Sequence, residues 1–560
     1  MAEPGTRRPA RDAAQLFAAF VFLSWCVSVR LPAETPLRNW LLPSPDLVVL
    51  LALLTLFAPR PGWQPARGLL RLIAGALLGL RVGRIADGIC LRFLDRPFHP
   101  VSDLALVPEL ARLLLSTQGP LRLAMWLALG LPALYLLWRL LIAALGAAAR
   151  VLSFARAGDA YLALAFVLAA CSLALLPALG VTRASPFASA VSPRVVRELG
   201  RWLTARGLYD DPAHAAQRRV FADRIRSRQE RLRKTPASLV KLAGADVHIL
   251  LVEAYGRTVE ATPAYSAQLA PAYRELAQKL ERAGFSVCTD YVRATVFGGN
   301  SWMTHATLQS AVPVTDQFEY AMLLEQPQLW TLAKAFRAAG YRAVSVKPGT
   351  TRASPLVRLY GFDREYAAWN FGYRGPSYAW SPMPDQFVLQ QIEERELRGA
   401  RQPLFIEYAL VSSHYPFTPH PPYVDDWAAL GDGSIFARLK PVQTLRGEAG
   451  INVSAMGYLD SLSYDLRVLG EFVTRYVRGD ALLLILGDHQ PIAPVAGLDL
   501  ARATPLHVLS RRDALLEPFR ARGCVPGLKS RRPEPYRTME DLALDLLSDF
   551  SGPAVPGAGP

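Results

Sequence analysis

With 560 residues the chain exceeds what one hydrophobic core sustains, and two to four structural units are expected at roughly 150 residues each. The formal charge of +15 comes with no zinc-finger spacing and no RNA-binding signature, which excludes a nucleic-acid partner, and five cysteines are too few for a disulfide framework. Hydrophobic residues make up 51% of the chain, but they are concentrated in the first third, while most acids, histidines and tyrosines lie beyond residue 200, so a membrane portion precedes a soluble one.

In chain order, five apolar windows approach the roughly 20 residues a helix needs to cross the hydrocarbon layer: 14 to 31, 41 to 58, 67 to 90, 121 to 145 and 158 to 180. The third is interrupted by Arg71, Arg81, Arg84 and Asp87. Arginines at 7, 8 and 11, at 60 and 67, and at 150 and 156 mark the cytoplasmic segments, which puts everything after about residue 181 outside. The basic stretch 194 to 234 reads equally as a helical arm on anionic headgroups and as a solvated linker. Cys26, Cys90 and Cys171 fall in or beside the spans; Cys288 and Cys524 lie in the exported part, where one disulfide could form. The expected domains are therefore 1–182 (five transmembrane helices), 183–244 (basic linker), 245–545 (catalytic domain) and 546–560 (disordered tail).

From about residue 245, short apolar runs alternate with helical stretches, as in an α/β domain with a mainly parallel sheet. Strands are expected at 247–252, 285–288, 342–346, 403–411, 481–486 and 505–509, and helices at 264–283, 327–339, 384–397 and 453–478. Four of these strands run straight into polar groups: VHILLV into Glu253, RAVSV into Lys347, PLFIEYALV into Ser412, Ser413 and His414, and ALLLIL into Asp488 and His489. Ligands of open α/β sheets bind outside the carboxyl ends of the strands, so these groups would gather on one edge.

Glu253, Asp488 and His489 offer two hard oxygens and one nitrogen, a set suited to one divalent cation, Mn first, with Mg or Zn as alternatives. In TVFGGNSWMTHATL, residues 295 to 308, Gly298 and Gly299 permit a tight turn, Asn300 or Ser301 caps, and a helix begins. A hydroxyl there feels the positive end of the helix dipole, which makes Ser301 the nucleophile candidate ahead of Thr295 and Thr304.

The ordered motifs VEAYG (252–256), GGNSW (298–302), SSHYPF (412–417) and GDHQP (487–491) resemble those of the sulfatase-like branch of the alkaline phosphatase superfamily. Five spans followed by an exported domain look most like lipoteichoic acid synthases and phosphoethanolamine transferases. The resemblance implies a cation held by Glu253, Ser301, Asp488 and His489, catalysis by Ser301 with His414 as a phosphate contact and acid or base, and headgroup contacts from Lys347, Arg352 and His507. It also implies a multi-pass protein of the bacterial cytoplasmic membrane with its catalytic domain on the periplasmic side, a phospholipid donor, and a glycan or lipid acceptor.

The chain departs from this pattern in two respects. Position 301 is serine without the Cys-x-Pro-x-Arg motif of formylglycine sulfatases, and a lysine stands at 347 where the relatives would carry histidine. His305, His414 and His507 could complete a second metal site. The alternatives are a membrane-anchored phosphodiesterase or sulfatase-type hydrolase using the same groups, and a non-catalytic headgroup-binding protein.

Overall fold

The computed structural model describes residues 66–94, 107–152 and 212–552 apart from positions 400, 448–449, 498–500 and 531–532, together with scattered residues before 27 and between 94 and 107. The chain divides into two compact units, the second of which comprises almost everything from Ala216 onward.

In the first unit, helix α1 (Arg67–Leu94) covers the third expected span, and α2 (Val107–Leu152) covers the fourth. Within α2 the stretch Pro120–Ala149 is long and apolar enough to cross a membrane, and among the described residues no other helix is. Leu121, Met125 and Trp126 on it are exposed, while Leu141, Leu145 and Ala148 pack with Leu70 and Ala74 of α1. The interrupting charges keep α1 below the apolarity a span requires. The windows 41–58 and 158–180, and half of 14–31, lie outside the described residues; of the two windows described throughout, the fourth alone qualifies as a span.

The second unit is an α/β domain. Its elements in chain order are α3 (Pro212–Lys234), β1 (Val247–Val252), α4 (Pro263–Arg282), β2 (Ser286–Arg293), α5 (Ser301–Ser310), α6 (Leu332–Ala338), β3 (Arg342–Lys347), β4 (Arg364–Ala367), α7 (Asp385–Ile392), β5 (Leu404–Ala409), α8 (Val453–Tyr476), β6 (Leu482–Gly487), β7 (Ala503–Ser510), β8 (Val525–Pro526), β9 (Arg537–Thr538) and α9 (Met539–Phe550). The sheet order is β4-β3-β5-β1-β6-β7-β2-β8, with β9 beside β2. β4, β3, β5, β1 and β6 are mutually parallel; β7 runs against both β6 and β2, so the sheet is mixed.

Both faces of the sheet are covered, which explains the continuous apolar runs. Successive side chains of a strand point to opposite faces. Leu250, Val252, Ile406, Leu483 and Ile485 enter one core with α4, α7 and α8, while Val247, Ile249, Leu251, Phe405, Leu484 and Leu486 enter the other with α3, α5, α6 and α9. Helix α4 shows the pattern plainly: Pro263 opens it, and Tyr265, Leu269, Tyr273, Leu276 and Leu280 form the buried stripe at helical spacing.

Two expected boundaries move. Helix α3, read as part of a linker, buries Phe221, Ile225 and Leu232 in the second core of the α/β domain. At the other end α9 continues past residue 545 and buries Leu546, Leu547 and Phe550, so these residues are core and not tail. The Cys288–Cys524 disulfide forms, with Cα atoms 5.5 Å apart, joining β2 to the residue just before β8.

Candidate functional site

The carboxyl ends of β1 and β6 are neighbours, with Val252 opposite Gly487 in register. They can close only because residue 487 has no side chain: a Cβ there would lie 1.8 Å from the Tyr255 carbonyl oxygen. Directly after Glu253, Ala254 adopts the left-handed conformation (φ 57°), a strained state for a residue with a Cβ. This turns the Ala254 N–H onto Asp488 Oδ1 at 2.8 Å, and the His489 N–H donates to the same oxygen at 2.7 Å. Asp488 Oδ2 is left facing the cluster, 3.7 Å from His489 Nε2. His489 Nδ1 donates to the Gln490 carbonyl at 2.7 Å, which leaves Nε2 as the atom available to a cation.

Ser301 arrives from the other side. Gly298, Gly299 and Asn300 all have positive φ, and the Gly298 N–H bonds the Gln490 carbonyl at 3.0 Å, so the turn is tied to the chain just after His489. Asn300 occupies the cap position of α5 without a side-chain cap bond, which leaves the first-turn N–H groups facing the site. The Ser301 hydroxyl donates to Glu253 Oε2 at 2.9 Å and lies 3.2 Å from His489 Nε2. Thr304 is committed elsewhere, donating to the Asp488 carbonyl at 3.0 Å, and Thr295 is buried against Thr307.

Glu253, Asp488 and His489 are all buried, with ligand atoms within 4.8 Å of one another. His489 Nε2 is 3.2 Å from Glu253 Oε1. Burial opposes charge on the His489 ring, but the Asp488 and Glu253 carboxylates outweigh it and push its pKa up to about 9. Burial, then the neighbouring Glu253, pushes the Asp488 carboxyl up. For Glu253 burial acts in the same sense, yet the His414 and His489 charges hold it below the usual range. Two carboxylates packed this tightly repel each other, and a divalent cation resolves that conflict with donors of suitable hardness. The residues therefore fit one such ion.

The remaining expected residues separate. His414, half-buried in the loop after β5, gives Nδ1–H to the Tyr415 carbonyl at 2.5 Å, stacks on Trp380 with ring centroids 4.0 Å apart, and lies close enough to shift Glu253. Burial lowers its pKa, with Glu253 acting the other way. Lys347 ends β3, its Nζ 5.4 Å from the Tyr360 ring centre. Arg352 is exposed on the next loop.

His507 is not brought to the cluster, and this corrects the expectation of a substrate contact. Its Nε2 meets the Tyr255 hydroxyl and its Nδ1 the Thr289 hydroxyl, both at 2.8 Å, in the middle of β7. The second metal site of His305, His414 and His507 therefore does not assemble. Glu407, within the apolar run of β5, went unnoticed in the sequence although a lone acid in such a run is a usable signal: it accepts from His305 Nδ1 at 3.1 Å and from Gln309 Nε2 at 2.5 Å. Burial raises the Glu407 carboxyl, but His305 and Lys347 outweigh this and hold it below the usual range.

The fold brings a serine hydroxyl beside a buried cluster of two acids and a histidine, of suitable chemistry for a cation, at one edge of an α/β sheet. No family model and no curated protein matches the chain. Solved structures do, and all are faint likenesses. The lipoteichoic acid synthase LtaP from Listeria monocytogenes is 15% identical over 55% of this chain and 72% of its own, with TM-score 0.34. The phosphoglycerol transferase GacH of Streptococcus pyogenes, in complex with sn-glycerol-1-phosphate, is 13% identical over 60% and 88%, with TM-score 0.34. The C-terminal periplasmic domain of EcEptC from Escherichia coli, in complex with Zn, is 14% identical over 56% and 84%, with TM-score 0.34.

Proposed function

We propose that the chain is a membrane-anchored, cation-dependent phosphotransferase that moves a phospholipid headgroup, of the phosphoglycerol or phosphoethanolamine type, to a glycan or lipid acceptor of the cell envelope through a phosphoserine at Ser301. The observation that carries this reading is the Ser301 hydroxyl, 2.9 Å from Glu253 and 3.2 Å from His489 Nε2 at the first residue of α5. Held by Glu253, Ser301, Asp488 and His489, a divalent cation (Mn first, Mg or Zn as alternatives) would acidify the serine hydroxyl and offset phosphoryl charge.

The Ser301 hydrogen already points at Glu253 Oε2, so the oxygen is aimed away from its proton and free to bond phosphorus. As that bond forms, the Ser301 proton passes to the Glu253 carboxylate and the bond from phosphorus to the diacylglycerol oxygen breaks, that oxygen taking a proton from water; His414, whose Nδ1–H is held by the Tyr415 carbonyl, has Nε2 free to accept and is the candidate base for the acceptor hydroxyl in the second step. An acceptor hydroxyl then attacks the phosphoserine and regenerates Ser301. First-turn N–H groups of α5 favour the anionic phosphoryl group throughout. The apolar stretch of α2 supports anchoring next to a lipid donor, and the disulfide supports an oxidising, periplasmic setting.

The test uses the full-length protein in detergent with labelled phosphatidylglycerol or phosphatidylethanolamine and Mn. Release of diacylglycerol with phosphate on Ser301, seen by mass spectrometry, is expected, and Ser301→Ala should lower turnover on the order of 10³-fold or more. Unchanged turnover in Ser301→Ala rejects the nucleophile; sulfate ester cleavage in place of lipid cleavage rejects the substrate.

A further inference from the structure

The third histidine of the abandoned second metal site, His305, has an arrangement of its own. It lies four residues after Ser301 on α5, so the two side chains share a helix face with Cβ atoms roughly 5–6 Å apart. Helical side chains lean toward the N-terminus, which tips the His305 ring back over the turn that carries Ser301. The ring is only 5% exposed.

Its Nδ1 is fixed by Glu407, a carboxylate with no exposed surface. Glu407 is itself held by Gln309, whose Oε1 accepts the Ala333 N–H at 3.0 Å. The chain Ala333, Gln309, Glu407, His305 is thus satisfied at every link and ends on His305 Nε2, which has no protein partner among the described residues. With Nδ1 committed to Glu407, Nε2 is the ring atom left to meet a ligand. Lys347 adds positive charge on the same sheet face, since Ser345 pairs with Glu407 in register and Lys347 follows two residues on.

We infer that His305, positioned by Glu407, is a further substrate-contacting residue of this site, its Nε2 donating to a non-bridging oxygen of the phosphoryl group brought to Ser301. The inference rests on the reading of the cluster as a phosphoryl-transfer site. It gives a role to a residue that neither the cation nor the nucleophile uses.

The test titrates Mn and then inorganic phosphate into full-length wild type, His305→Ala, His305→Phe and Glu407→Gln by calorimetry, and measures KM and kcat with phosphatidylglycerol. The expected result is Mn affinity within twofold of wild type, phosphate affinity at least tenfold weaker in both His305 variants and several-fold weaker in Glu407→Gln, and KM raised more than kcat is lowered. Phosphate affinity unchanged in a His305 variant that still binds Mn overturns the inference, and so does a loss confined to the lipid donor, which would place the ring against the headgroup. Should the His305 variants fail to fold, the isosteric Glu407→Gln decides the matter alone. A wild type that binds neither Mn nor phosphate sinks the reading of the whole site, an outcome distinct from either.

Discussion

Gly487 is the residue on which the approach of the two ligand-bearing strand ends depends. A methyl group there would meet the Tyr255 carbonyl oxygen, in the turn after β1, 1.8 Å away, and backbone cannot swing aside as a flexible side chain can. Gly487→Ala is therefore expected to part the ends of β1 and β6, lowering stability by about 2 kcal/mol or more and weakening Mn binding at least tenfold, read by urea unfolding and calorimetry. A variant with wild-type Mn affinity would show that the ligands do not depend on this approach. Glu253, Asp488 and His489 were legible in the sequence because a buried strand that stops abruptly on an acid delivers that acid to the sheet edge, where open α/β sheets bind their ligands. Glu407 was hidden by the same logic: one acid inside PLFIEYALV looks like part of a strand until a helix is laid across it. His305 needed that crossing too, and its role could not be read from spacing alone.

At the scale of elements, Asp246 ties three strands together where they begin. Its carboxylate takes both Arg401 guanidinium nitrogens, at 2.8 and 2.7 Å, and the Leu404 N–H at 2.8 Å, while its carbonyl accepts the Leu482 N–H. Burial raises its pKa, but Arg401, His248 and the backbone bond outweigh burial and hold it below the ordinary value. A carboxyl depressed on folding adds stability that is present above its unfolded pKa of about 3.9 and is lost as pH falls through the folded value. Asp246→Asn should accordingly be less stable than wild type at pH 7 and should lose less stability than wild type between pH 5 and pH 3. Urea midpoints at the three pH values decide this, and parallel curves would reject it. Arg401→Ala, which strands the buried carboxylate, should cost about 3–5 kcal/mol.

Element type was readable where strands are parallel and covered on both faces, since β6 is an unbroken apolar run and β1 is interrupted only by His248. Direction was not. Strand β7 runs against its neighbours, so the rule that functional groups follow the carboxyl ends does not apply to it, and His507 falls in its middle, inside the core. Hydrophobic patterning is blind to the sense in which a strand is threaded. The basic composition of α3 similarly disguised a helix whose minority of apolar residues, Phe221, Ile225 and Leu232, is what packs.

For the whole molecule, the disulfide closes a loop of 236 residues around most of the second unit. Replacing Cys288 and Cys524 by serine should lower stability by about 2–5 kcal/mol, measured by thermal unfolding with and without reductant. Wild type under reductant should unfold near the variant, and a wild type indifferent to reductant would place its stability elsewhere.

Helix α3 also touches the far end of α5. Gln229 donates to the Ser310 carbonyl at 2.8 Å, and Arg228 donates to the Ala311 carbonyl at 2.6 Å and to Asp541 at 2.8 Å. The rod that presents Ser301 at its tip is therefore seated at its heel by residues upstream of the first strand. Anyone excising the α/β domain for crystallography must cut before residue 212; a fragment begun at the sheet would carry all the motifs and lack the socket that sets how far Ser301 protrudes.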